Sequence, residues 1–88
     1  MSPKNFELEI VYGINKPLPV EDDEGIALVK VGAMGLFGIP ATDADQYVLR
    51  AKIRGKDVQL DEAKTVADYE LHNHNKVTLA AGAPFGRG

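Results

Sequence analysis

The sequence predicts a small α+β domain, one mixed sheet of four to five strands packed against one main helix. Three observations carry that reading. Residues 6–12, 47–53 and 77–81 each alternate between two faces, the period of a strand with one buried side. Residues 24–35 instead carry apolar side chains at helical spacing, directly after an acidic run. Finally, 88 residues are enough for one modest core and not for two.

The first strand is FELEIVY, with Phe6, Leu8, Ile10 and Tyr12 on one face and Glu7, Glu9 and Val11 on the other. Gly13, Asn15, Lys16 and Pro17 supply turn residues, after which Leu18 and Val20 resume the alternation as the second arm of a hairpin. Pro17 and Pro19 have no donor to give a second neighbour, which assigns this arm to a sheet edge.

In EDDE, residues 21–24, Asp22 or Asp23 can accept from the free amides of a helix's first turn. The following GIALVKVGAMGLFGIP is shorter than the roughly 20 apolar residues that span a bilayer, and it is interrupted by Lys30. Its glycines do not fall at the spacings of a phosphate-binding loop. A helix from about residue 24 to 35 fits best, ending in a left-handed glycine at Gly35 or Gly38. Ile26, Val29, Lys30 and Ala33 share one face, with Lys30 expected to snorkel at its margin. Leu28 and Val31 cannot face the same sheet. Their surplus calls for a second contact, made by the 36–40 connection (Leu36 included) or by a partner chain, with a homo-oligomer one form of it.

Residues 41–46, ATDADQ, read as a polar loop. The next strand puts Tyr47, Leu49, Ala51 and Ile53 inward, and Val48, Arg50, Lys52 and Arg54 outward. Gly55–Lys56–Asp57 turns the chain, and residues 58–60 form a short strand. Residues 61–71 read as a connection with a short turn of helix, and 72–75 as a polar turn. A last strand follows, with Val77, Leu79 and Ala81 inward and Thr78 and Ala80 outward. This domain covers residues 1–81. Residues 82–88, GAPFGRG, read as a flexible glycine-rich tail.

Composition narrows the function. Ten Lys or Arg against thirteen Asp or Glu leave a net charge of -3, without the concentrated basic surface that nucleic acid requires. The absence of cysteine excludes disulfides, thiolate metal sites and a cysteine nucleophile. MSPKNFE has no signal-peptide pattern, so a cytoplasmic location is the default expectation. His72 and His74 form H-x-H without a further ligand beside them, and Ser2 has no histidine nearby. No catalytic, cofactor or metal site is expected, and the chain does not read as an enzyme.

The second half resembles the ubiquitin-like, or β-grasp, family. Gly38–Ile39–Pro40 matches the GIP after that family's main helix, and Gly55–Lys56 its GK before the fourth strand. KTVADYEL, residues 64–71, is similar to its RTLSDYNI, and Val77 and Leu79 fall on its final-strand leucines. The resemblance covers residues 38–79 in detail and nearly the whole chain in layout. It implies sheet order 2-1-5-3-4.

It also implies function through protein partners. The leading expectation is a module that binds other proteins non-covalently. The family's receptor-binding face maps to Val48 or Leu49 on the third strand, with Thr78 and Ala80 on the last. The basic stripe Arg50, Lys52 and Arg54 either balances Glu7 and Glu9 or attracts an acidic partner. Leu28 and Val31 offer a second docking face. The alternative is a modifier taken up by an activating enzyme at Gly88, or at Gly86 after processing. Phe85 stands where the family has the first of two terminal glycines, and Gly82 and Pro84 replace its flanking arginines.

Overall fold

The structure, a computed structural model, describes residues 4–82. Strand β1 (Asn5–Tyr12) turns at Gly13 and pairs antiparallel with β2 (Ile14–Glu21). The turn is tighter than the 13–17 segment expected. Tyr12 pairs directly with Ile14, and Gly13 takes φ +78°, a backbone open to glycine at little cost. Helix α1 (Ile26–Leu36) follows, then β3 (Tyr47–Ile53), β4 (Lys56–Gln59) and β5 (Lys76–Ala81). The sheet order is β2-β1-β5-β3-β4, with β1 and β5 parallel and the remaining pairs antiparallel. This is the β-grasp arrangement, with β2 and its two prolines at an edge.

The core lies between α1 and one face of the sheet. Leu8, Ile10, Val20, Leu49, Val77 and Leu79 come from the strands, and Ile26, Val29, Ala33 and Met34 from the helix. Leu60, Val66 and Leu71 close the end formed by the 60–71 connection. At the opposite end Tyr12 meets Phe37 edge-on at 5.2 Å and Tyr47 at 6.2 Å between ring centroids. Such pairs add about 0.5–1.5 kcal/mol beyond the area they bury.

Four local expectations are corrected. The helix begins at Ile26 behind Gly25, with no side-chain cap from Asp22 or Asp23. Tertiary structure supplies the acceptor instead, because the Ile26 amide donates to the Lys64 carbonyl at 2.8 Å. Asp22 serves elsewhere, its Oδ1 accepting from the Lys4 amide and its carbonyl from the Ala67 amide. Residues 41–46 form a 3₁₀ helix rather than a loop.

Lys30 does not snorkel. It is 2 % exposed, and its Nζ donates to the Ala44 and Tyr47 carbonyls and to Glu62 Oε2, at 2.7, 3.2 and 2.6 Å. The ammonium thereby ties α1 to the start of β3 and to the 60–71 connection. Lastly, the 36–40 connection does not cover the helix's outer face. Leu36, Phe37 and Ile39 pack against the core, leaving Leu28 61 % and Val31 41 % exposed.

Helix termination follows expectation at Gly38. Its φ of +72° lets the Ile39 amide reach the Met34 carbonyl at 2.9 Å, while its own amide donates to Gly35. Both bonds together make a Schellman cap.

Candidate functional site

Two faces hold the residues singled out in the sequence. The first is the sheet surface away from α1. Register sets Arg50 opposite Thr78, Val48 opposite Ala80 and Leu49 opposite Leu79. Leu49 points into the core at 1 % exposure, so it is withdrawn from the interaction surface. Val48 is 2 % exposed and offers a partner almost no area. Thr78 is exposed and Ala80 half-buried. Arg50 rather than an apolar residue therefore stands beside Thr78 at the centre of this face.

The basic stripe is only partly a stripe. Arg50 donates through Nε and Nη2 to Asp57 Oδ2 at 3.1 and 3.0 Å. Arg54 leaves the strand at φ +53° in a two-residue turn with Gly55 and lies 3.8 Å from Glu70. The counter-charges thus come from β4 and the 60–71 connection, not from Glu7 and Glu9, because β5 separates β1 from β3. Lys52 is exposed and forms no ion pair among the described residues.

A groove of about 750 Å³ opens beside Lys52, between the β3–β4 side of the sheet and the start of β5. Val11, Asp57, His74, Lys76 and Thr78 contribute to its lining. His74 reaches it from a left-handed backbone, φ +66°, held by its amide's bond to the Glu7 carbonyl at 2.6 Å. The second face is the back of α1, where Leu28 and Val31 stand one turn apart beside exposed Ala27 and Gly35.

The KTVADYEL segment has a structural explanation. Thr65 Oγ1 accepts from the Asp68 amide, and Asp68 Oδ2 accepts from the Thr65 amide at 2.9 Å, a reciprocal capping pair. The Thr65 amide first, and then the Thr65 hydroxyl, hold the Asp68 carboxyl below the usual range, with Lys64 adding to the shift. Tyr69 Oη accepts from the Asp61 amide at 2.6 Å, closing the connection on itself. Tyr47 titrates above the ordinary tyrosine value, chiefly because its hydroxyl is engaged with Tyr12.

His72 and His74 are both exposed, and no three His, Cys, Asp or Glu side chains cluster for a metal among the described residues. No described helix is long and apolar enough to cross a membrane. Gly86 and Gly88, the candidate conjugation residues, lie outside the described residues, as does the tail from 83 onward. Sequence reasoning missed the Lys30–Glu62 pair and the groove, whose parts are far apart in the chain. A lone cation on the apolar helix face was the available signal for the former. No protein-family model matches the sequence, and no curated protein matches it.

Proposed function

We propose that this chain is a ubiquitin-like interaction module that binds partner proteins non-covalently. The observation that carries it is the back of α1. Leu28 and Val31 are neighbours at i and i+3 on a helix whose other side is anchored in the core. Scattered exposed apolar residues need no explanation. Here, however, they adjoin each other on a rigid element, between residues too small to obstruct a docking surface. The β-grasp fold and the motifs of residues 38–79 support the same reading.

Affinity capture from native cells, comparing the wild-type chain with a Leu28→Asp/Val31→Asp variant, tests it. The wild type should retain a protein that the variant loses, with circular dichroism and melting temperature unchanged between the two. A wild-type chain that captures nothing beyond the blank matrix overturns the module. Identical capture by both proteins overturns the helix face as its docking surface.

A further inference from the structure

We infer that the groove between Lys52 and Lys76 is a docking site for an acidic, extended segment of a partner protein. This inference rests on the interaction-module reading and gives it a partner chemistry. The groove holds about 750 Å³ and is open to solvent rather than enclosed, so a surface segment of another protein can enter it. Its charge is unlike that of the chain. Lys52 and Lys76 both line it, both are exposed, and neither has an ion-pair partner among the described residues.

Two carboxylates lie nearby, and neither forms an ion pair with these lysines. Asp57 lines the groove and is the register partner of Lys52, but its Oδ2 accepts both bonds from Arg50 and no ion pair joins it to the lysine. Glu9 is the register partner of Lys76, yet its Oε1 accepts from the Asn15 side-chain amide and no ion pair joins it to the lysine. An otherwise acidic protein therefore keeps two uncommitted cations on one concavity, where an anionic partner finds complementary charge. Thr78 adds a hydroxyl and His74 an imidazole for hydrogen bonding, and Val11 offers an apolar contact. Lys76 on β5 stands between the strand of Lys52 and that of Val11, so carboxylates of an extended peptide can meet both lysines while a residue beyond them rests on Val11.

Fluorescence anisotropy with a labelled peptide of alternating Glu and Ala tests this, with the Gln-for-Glu peptide as control. The acidic peptide should bind, the control should not, and added salt should weaken binding. Lys52→Glu and Lys76→Glu should each weaken it by about 5-fold or more, and together abolish it, whereas Lys64→Glu outside the groove should not. Equal binding of the two peptides overturns the inference, as does a charge reversal at Lys64 that matters as much as one in the groove. A single-stranded oligonucleotide of equal charge that binds more tightly, and is lost in the same double variant, also overturns it. Failure of the peptide while native capture persists removes the groove and leaves the module standing.

Discussion

An ammonium group taken out of water costs several kcal/mol unless its partners compensate, and Lys30 meets that demand with three acceptors. Removing it takes a donor from the Tyr47 carbonyl and the counter-charge from Glu62, while the Ala44 carbonyl keeps the Tyr47 amide. It also empties the space of a buried side chain. Lys30→Ala should therefore lose about 3–5 kcal/mol, a large share of a small domain's stability, read from the urea midpoint. Glu62→Gln should cost less, since that side chain is 27 % exposed and its amide oxygen can still accept. A Lys30→Ala midpoint near wild type would show the pair to be decorative. Position 30 was legible as a charge on the buried helical face. Its partners were not, because Glu62 is reached only through the tertiary fold.

Asp68 makes a separate prediction, in pH. Its carboxyl is held low in the folded state, so its stabilising contribution is complete above the unfolded value, roughly pH 4. That contribution disappears as pH falls through the lower, folded value. The stability difference between wild type and Asp68→Asn should thus be constant near neutrality and shrink on acidification. A difference that stays flat down to the acid transition would exclude Asp68 as a source of pH dependence.

At the scale of elements, Gly35 in the last turn of α1 and Gly38 just beyond its end should respond to replacement in opposite directions. Gly35 has ordinary helical backbone and nothing within 4 Å of an added Cβ, so Gly35→Ala should stabilise by about 0.5–1 kcal/mol. Gly38 also has open space, but its φ of +72° makes Gly38→Ala unfavourable by about 1 kcal/mol. Thermal melts of the two variants should bracket wild type. If both fall on one side, local backbone does not control this helix end. The same contrast explains what could be read in advance. The strands follow from alternation and the helix end from glycine, both local signals. The helix start did not, since Lys64 supplies through the fold the acceptor that Asp22 or Asp23 was expected to provide.

For the whole molecule, a β-grasp domain of this size spends its apolar residues on a single layer between helix and sheet. On the proposed reading partners are met on the two outer faces, and these differ in what they can contribute. Full burial of an exposed leucine or valine side chain is worth about 1.5–3 kcal/mol. Leu28, 61 % exposed, and Val31, 41 % exposed, therefore have together about 1.5–3 kcal/mol left to gain. That is an anchor for a micromolar complex of about 8 kcal/mol rather than most of its energy. Exposed lysines such as Lys52 and Lys76 supply less energy, about 0–1 kcal/mol each at equilibrium, and more of the encounter rate and the choice of partner. On the proposed reading the helix face holds and the groove selects. The receptor-binding pattern implied by the family resemblance had no such division, because it placed Val48 or Leu49 at the centre of the sheet face. Alternation along the strand already turns Leu49 inward, as its burial bears out; the register that sets Arg50 beside Thr78 comes from pairing between distant strands, which no local alternation reveals.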